Sequence, residues 1–181
     1  NFGILHNSVE GFFNSLGQTT RAVGSPCWSS GLDASIYDFG HYKNSDPKQL
    51  SYADVIILWG ANPIWTSIHS VPYLYEAKKK GASIVTIDPV YTATAKKSDV
   101  YVQIMPETDG ALALAIAKYL YEHKQYDQQF IDEFTLGFDA FVTSLKSIKM
   151  EDLLQECGPT IDVIATLAAY LMTGKKTIAW I

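Results

Sequence analysis

The fold is decided by residues 55–63, VIILWGANP, in which an apolar β-branched run ends at a glycine and then a proline. The apolar part is too short for an independent helix, and the glycine and proline would end one, so the stretch favours a buried strand that leads into a tight loop. A second apolar run, SIVTI at residues 83–87, follows a helical segment and ends at an Asp-Pro pair. Two such strands joined by a helix predict a parallel βαβ unit, in which ligands bind beyond the carboxyl ends of the strands.

The rest of the chain extends this unit into an α/β fold. Apolar spacing or helix propensity predicts helices at residues 8–16, 70–80, 111–120, 127–134, 138–147 and 160–173. Further extended runs lie at residues 100–104 and 175–181. The sequence therefore predicts an α/β, Rossmann-like domain with a mostly parallel sheet flanked by helices.

Composition excludes several classes of protein. The 181 residues are 48% hydrophobic and 18% charged, which is enough apolar material for one core and argues against disorder. The net charge of -5 is spread without a basic block, so the electrostatic attraction that nucleic-acid binding requires is missing. The apolar runs of the sequence fall short of the ~20 residues needed to span a bilayer, so no membrane insertion is expected.

Three polar loops, around Asn62, Asp88 and Asp109, each follow an extended segment of the predicted sheet. Loops at that edge offer backbone N–H groups to phosphates, and a carboxylate there can accept hydrogen bonds from a sugar hydroxyl or a base amino group. A nucleotide site is therefore one hypothesis, although the G-x-G-x-x-G fingerprint is absent and ordinary NAD binding is disfavoured. Spacing alone favours a simpler interpretation, in which Asn62 forms a turn and the two aspartates cap turns or helices.

The two cysteines, Cys27 and Cys157, flank no C-x-x-C pair, so neither a disulfide framework nor a structural zinc site is supported. A lone cysteine is commonly an inert buried thiol. The glycine, serine and proline residues around Cys27 instead favour an accessible loop thiol, suited to be a metal ligand or a nucleophile. The four histidines show no metal-ligand spacing, and none of them pairs with Cys27 at close spacing.

Three segments together resemble a known family. They are WGANP at residues 59–63 followed by Thr66, GASIVTIDPVYTATA at residues 81–95, and PETDGALAL at residues 106–114. In order, spacing and content they are similar to the molybdenum or tungsten bis(pyranopterin guanine dinucleotide) oxidoreductases of the dimethyl sulfoxide reductase group. The resemblance covers nearly the whole chain. It implies one central Rossmann-like domain of a larger catalytic subunit, which binds one molybdopterin guanine dinucleotide.

The resemblance implies roles for particular residues. Those expected to contact the cofactor are Trp59, Gly60, Asn62, Pro63, Thr66, Asp88, Pro89, Thr92, Thr108 and Asp109. Asp88 matches the carboxylate that reads guanosine, while Thr108 and Asp109 match the loop that closes over the guanine end. Val90 stands where the family commonly has arginine, so a guanidinium contact to the nucleotide is missing here.

The resemblance also gives Cys27 a role. It falls where formate dehydrogenases and periplasmic nitrate reductases carry the cysteine or selenocysteine that ligates the metal, and a soft thiolate suits molybdenum or tungsten. The sulfoxide and N-oxide reductases use serine there, and Ser25, Ser29 and Ser30 lie close enough to be alternatives. Cys27 is thus the expected metal ligand and catalytic residue.

The same resemblance implies how the domain is organised and what surrounds it. Residues 1–181 would form a single α/β domain excised from a larger multidomain chain, with a metal-ligand loop and helical lead-in over about residues 1–50 and a dinucleotide-binding core over about residues 51–181. The expected cofactor is bis-molybdopterin guanine dinucleotide with molybdenum or tungsten, and a 4Fe-4S cluster is expected only in the missing N-terminal part. The expected partners are the remaining domains, an iron–sulfur electron-transfer subunit and a small-molecule substrate.

The full-length protein is accordingly predicted to be a sulfoxide, N-oxide or oxyanion reductase or a formate-dehydrogenase-type enzyme, acting in anaerobic respiration, and the fragment alone is expected to be inactive. Its cellular side, cytoplasmic or exported, stays open. Two other interpretations also stay open. One is a non-catalytic Rossmann-like module for another nucleotide, in which Cys27 is incidental, and the other is a structural domain that has lost its ligand.

Overall fold

The computed structural model describes residues 4–25, 27–42, 44–172, 174 and 176–181, with the backbone alone for residues 4–6. The chain divides into two compact units, Asn1–Asn44 and Ser45–Ile181. Two predicted elements include positions outside the described residues. They are the helix predicted to end at residue 173 and the strand predicted to begin at residue 175.

The first unit contains two helices, α1 (Ile4–Ser15) and α2 (Ser29–Phe39). The helix predicted from residue 8 thus begins four residues earlier. Its described apolar side chains are exposed, with Phe12 at 60% and Phe13 at 49%. In the described part of this unit no residue is buried, so the apolar face of α1 has no cover within its own unit.

The second unit holds the sheet and the remaining helices. Its strands are β1 (Val55–Trp59), β2 (Ser83–Ile87), β3 (Val100–Val102) and β4 (Thr177–Trp180). Its α-helices are α3 (Pro63–Thr66), α4 (Val71–Lys79), α5 (Asp109–Glu122), α6 (Gln128–Phe134), α7 (Phe138–Ser147), α8 (Met150–Cys157) and α9 (Ile161–Leu171). Short 3-10 turns lie at Pro47–Tyr52, Ile68–Ser70 and Ala95–Lys97.

The strands of the described residues form one parallel sheet in the order β3-β2-β1-β4. In the register between β1 and β2, Trp59 lies opposite Ile87, so both strands end level with each other. The predicted α/β class and parallel sheet are therefore confirmed. The chain passes from β1 to β2 and β3 on one side, and β4 lies on the other side of β1. The carboxyl end of β1 is thus at the point where strand order reverses, which is where open α/β sheets bind ligands.

Helices cover both faces of the sheet because the side chains of each strand alternate. Val55 and Ile57 join the core formed with α5, α8 and α9. Ile56 and Leu58 join a second core that includes Leu74 and Ala77 of α4. Burial on both faces explains why β1 is apolar at every position rather than at alternate ones. None of the described helices has the length and apolar character needed to cross a membrane.

Candidate functional site

The candidate site is the rim at the carboxyl ends of β1 and β2. The Gly60 N–H donates to the Ile87 carbonyl over 2.8 Å, so the loop after β1 begins directly beside Asp88. Gly60 has a φ of 63°, a conformation that a glycine adopts without the strain a side chain would bring. The backbone thus places the loops after β1 and β2 at one edge of the sheet, as the sequence predicts.

The loop after β1 is built around Asn62. Its carbonyl accepts from the backbone N–H groups of Trp65 and Thr66, both at 3.0 Å, and begins the short helix α3. Its side-chain Oδ1 accepts a hydrogen bond from the Thr94 hydroxyl. Among the described residues no group accepts from Asn62 Nδ2, so the two amide protons are available to a ligand.

A buried chain of hydroxyl groups holds Asn62 in this orientation. The Ser98 hydroxyl donates to the Thr94 carbonyl over 3.1 Å and contacts the Thr86 hydroxyl at 2.6 Å. Because each hydroxyl has one proton, Thr86 donates to Ser98. Thr94 Oγ1 accepts from the Ile64 N–H at 3.4 Å and gives its own proton to Asn62. Thr94 is only 3% exposed and connects β2 to the Asn62 loop.

Asp88 follows β2 and is 9% exposed. Its Oδ1 accepts from the Val90 N–H over 2.7 Å, which folds the chain into a tight turn. In the described part of the chain Asp88 has no cationic partner, and its Oδ2 has no hydrogen-bond donor. A buried carboxylate normally has a paired charge or several donors, so this oxygen is free to accept from a ligand.

The neighbouring strand β3 holds the Asp88 turn. The Tyr101 hydroxyl donates to the Asp88 carbonyl over 2.9 Å, and Gln103 Nε2 donates to the Pro89 carbonyl over 3.0 Å. Tyr91 packs edge-on against the Tyr101 ring, with ring centroids 5.0 Å apart. Burial, and after it the negative charge of Asp88, raises the pKa of the Tyr101 phenol, so the hydroxyl remains a donor.

Asp109 lies across the rim at the start of α5 and is exposed. The Trp59 indole Nε1–H donates to Asp109 Oδ1 over 2.6 Å, so two of the predicted site residues, 50 positions apart in sequence, are in direct contact. The adjacent Thr108 hydroxyl donates instead to the Met105 carbonyl over 2.7 Å. One carboxylate oxygen of Asp109 is therefore used to connect β1 to α5.

The remaining predicted residues lie on the same loops. Pro63 is buried in the first turn of α3. The Thr66 hydroxyl donates to the Asn62 carbonyl at 3.0 Å, and Thr92 Oγ1 accepts from the Ala95 N–H at 3.1 Å. The described contacts of these threonine hydroxyls are thus to the loop backbone.

Cys27 lies in the first unit, in a turn before α2. Its thiol is exposed, and its backbone N–H donates to Ser25 Oγ over 3.1 Å. Ser29 Oγ accepts from the Ser25 N–H over 2.6 Å, so this serine is engaged within the turn. Within the described ranges no group of three or more histidine, cysteine, aspartate or glutamate side chains is arranged to hold a metal ion. Cys157 differs, because burial raises the pKa of its thiol and keeps it protonated.

Sequence reasoning missed Thr94, Ser98 and Tyr101. Each is an isolated hydroxyl whose importance comes from a loop or strand that is distant in sequence. The one available signal was the density of threonine and serine in residues 92–98, TATAKKS, directly after the Asp-Pro pair. Held by Thr94, Ser98 and Tyr101, the rim offers amide donors at Asn62 and a carboxylate acceptor at Asp88. This pairing suits a polar ligand that has both donors and acceptors.

Curated relatives are several times longer than this chain. The chain is 36% identical over 174 residues to the probable oxidoreductase YyaE of Bacillus subtilis (strain 168), covering 96% of this chain and 26% of that protein. It is 32% identical over 160 residues to the nitrate reductase of Shewanella frigidimarina, covering 84% and 17%. It is 34% identical over 157 residues to the trimethylamine-N-oxide reductase of Salmonella typhi, covering 75% and 18%. The chain thus spans about a quarter of the first relative's length and less of the other two.

Solved structures and family matching agree with the fold described above. The acetylene hydratase from Pelobacter acetylenicus superposes with a TM-score of 0.73 at 19% identity, covering 86% of this chain and 21% of that one. At this identity the likeness shows a shared fold alone. The molybdopterin oxidoreductase family matches residues 5–179. The chain therefore belongs to the molybdopterin oxidoreductase family.

Proposed function

We propose that this chain binds the guanine nucleotide end of one molybdopterin guanine dinucleotide within a larger molybdenum- or tungsten-dependent oxidoreductase. The family supports a pterin cofactor, and relatives named as nitrate and trimethylamine-N-oxide reductases support a reductase activity for the full-length protein. The rim of β1 and β2 is the proposed site. The wider catalytic subunit, its 4Fe-4S cluster and an electron-transfer partner belong to the same proposal.

One observation carries the proposal: Asp88 is only 9% exposed at the rim, and its carboxylate Oδ2 has no donor within the described residues. A ligand that covers this oxygen removes it from water, so the ligand must supply hydrogen-bond donors to it. Guanine presents two adjacent donors, N1–H and the N2 amino group, on one edge. Adenine presents an acceptor at N1, which a carboxylate repels. The site therefore favours guanine over adenine.

The other rim residues fit a nucleotide as well. The free amide protons of Asn62 can donate to a sugar or phosphate oxygen, and Gly60 leaves open space where a side chain would otherwise stand. The contact between Trp59 and Asp109 holds the start of α5 beside the carboxyl end of β1. Donors and acceptors at the rim thus match those of the cofactor's nucleotide half.

Cys27 is proposed as the metal's side-chain ligand. Its thiol is exposed in a turn, and a thiolate is a soft ligand that suits molybdenum or tungsten. When bound, the metal cofactor supplies the redox chemistry, in which an oxygen atom or a hydride equivalent is transferred. The contribution of this chain is to hold and orient the nucleotide and to supply that one ligand.

Nucleotide binding by the cofactor-free full-length protein tests the proposal. Equilibrium dialysis should show that GDP, the nucleotide half of the cofactor, binds at least about 10-fold more tightly than ADP, which corresponds to ~1.4 kcal/mol. Equal affinities or tighter ADP binding would contradict the proposal. That result would favour the alternative, a Rossmann-like module for another nucleotide.

A further inference from the structure

We infer that Tyr101, assisted by Gln103, is a positioning residue for guanine recognition, because it holds the turn that presents the Asp88 carboxylate. This inference rests on the proposed function. It adds a specificity-determining contact from β3, which neither the sequence patterns nor the family match assigns.

The first argument is geometric. The turn at Asp88 follows the last residue of β2, and its two successive carbonyls, those of Asp88 and Pro89, point to β3. The Tyr101 hydroxyl of β3 donates to the first at 2.9 Å, and Nε2 of Gln103, the residue after β3, donates to the second at 3.0 Å. The Asp88 N–H also donates to the Val102 carbonyl over 3.1 Å. Three consecutive residues, two at the end of β3 and the one that follows it, therefore fix the backbone around a single carboxylate.

The second argument concerns what this anchoring leaves free. Asp88 Oδ1 is used inside the turn by the Val90 N–H at 2.7 Å. The direction of Oδ2 is then set by the backbone of the turn, which β3 holds. Because hydrogen-bond strength falls steeply with misalignment, a loosened turn weakens a two-donor contact to guanine more than it weakens a contact to the ribose or phosphate.

The third argument is that the Tyr101 contact is durable. The phenol packs against Tyr91, is partly buried, and has a raised pKa, so it stays a donor across the physiological pH range. A tyrosine that only filled space would not need its hydroxyl on a main-chain carbonyl next to the ligand group.

The chain offers a matched control. Tyr91 is 61% exposed, contributes its ring to the same edge-on pair, and its hydroxyl has no partner among the described residues. Tyr91→Phe removes an equivalent hydroxyl beside the turn without removing a bond to it. Tyr101→Phe keeps the ring pair and removes only the bond to Asp88.

The test measures GDP and ADP binding to the cofactor-free full-length protein, together with its thermal unfolding. Tyr101→Phe should weaken GDP binding about three- to tenfold, the effect of one hydrogen bond, while ADP binding changes less than twofold. Gln103→Leu should act in the same direction with a smaller effect. Tyr91→Phe should leave both affinities within twofold of wild type.

A double-mutant cycle separates positioning from simple stabilisation. If Tyr101 acts through Asp88, Tyr101→Phe should have little further effect on GDP affinity in an Asp88→Asn background. Additive losses, or equal weakening of GDP and ADP, would overturn the inference while leaving the proposed function intact. Failure of Asp88→Asn itself to weaken GDP binding would instead overturn the proposed function.

Discussion

The two units of the chain differ in what supports their candidate site residues. In Ser45–Ile181 a sheet with cores on both faces carries the rim, and Asp88 and Asn62 are held by hydroxyl groups from the same unit. In the described part of Asn1–Asn44 no residue is buried, and Cys27 lies in a turn held by local serine contacts.

The two units therefore differ in which contacts position their functional groups. The rim's donors and acceptors are set by long-range contacts within its own fold, so substitutions there should affect nucleotide binding directly. Among the described residues of its unit, the contact given for Cys27 is local, from its backbone N–H to Ser25 Oγ. The proposed role of Cys27 depends on the bound metal, so substituting it should affect the metal centre and leave nucleotide binding unchanged.

The largest effect is expected at Cys27. In the full-length protein, Cys27→Ala should lower turnover more than about 100-fold, beyond the 10–100-fold loss typical of residues outside the ligand shell, and should alter the metal's electron paramagnetic resonance spectrum. Ser30→Ala tests the neighbouring exposed serine named above as an alternative ligand, and it should leave turnover and spectrum unchanged. An unchanged spectrum in Cys27→Ala would reject ligation by this thiol.

The next largest effect is expected at Thr94. Thr94→Val keeps the shape of the side chain but leaves Asn62 Oδ1 and the Ile64 N–H without their partner, which should cost about 1–3 kcal/mol of unfolding free energy. GDP binding should weaken with it, because Asn62 can then rotate. Thr94→Ser restores the hydroxyl and should recover most of both losses in denaturant titration and dialysis. If Thr94→Val matched wild type in both assays, the hydroxyl chain would have no role in holding the rim.

A smaller effect is expected at the hydrogen bond between Trp59 of β1 and Asp109 of α5. Trp59→Phe removes the indole donor to Asp109 and should cost about 1 kcal/mol, because the bond is exposed on the Asp109 side. The measurement is chemical denaturation of the full-length protein with Asp109→Ala alongside, because alanine leaves no acceptor for the indole N–H. Each single substitution and the double substitution should lower the free energy of unfolding by nearly the same amount. Additive losses would show that Trp59 and Asp109 are not coupled.

The smallest effect is a pH dependence at Asp99. Burial by itself would raise the pKa of this carboxyl, but hydrogen bonds from Lys78 and the Ile84 N–H and the charge of Lys78 outweigh it and lower the pKa below its ordinary value of 3.8. The stabilisation is therefore fully present above pH 3.8 and is lost as pH falls through the lowered folded-state pKa. Lys78→Met should destabilise the protein at pH 7 and make little difference at the acid end. A stability difference that stayed constant with pH would contradict this assignment.

Local sequence patterns were sufficient for the elements that build the rim. The β-branched runs at β1 and β2 and the alanine- and leucine-rich α5 appear where their composition predicts them. The third run was predicted to extend to residue 104, but pairing ends at Val102, after which Gln103 turns to hold Pro89.

Other features could not be read from local patterns. The contact between Trp59 and Asp109 joins residues 50 positions apart, and Thr94 reaches Asn62 across 32 positions. The apolar spacing of α1 correctly indicates a helix, but spacing does not tell whether its face is covered, and in its own unit the face is exposed. The roles proposed for the rim residues and for Cys27 stay predictions, and they rest on chemistry rather than on spacing.

The central claim is that the buried Asp88 carboxylate recognises guanine. Its most direct test is the GDP affinity of cofactor-free full-length protein carrying Asp88→Asn, which keeps an oxygen for the Val90 N–H but replaces the free acceptor with a donor. Asp152→Asn, an exposed aspartate on α8, is the matched control. The account predicts that Asp88→Asn weakens GDP binding by about 10-fold or more and removes the preference over ADP, while Asp152→Asn binds as wild type does. Wild-type GDP affinity and preference in Asp88→Asn would contradict it.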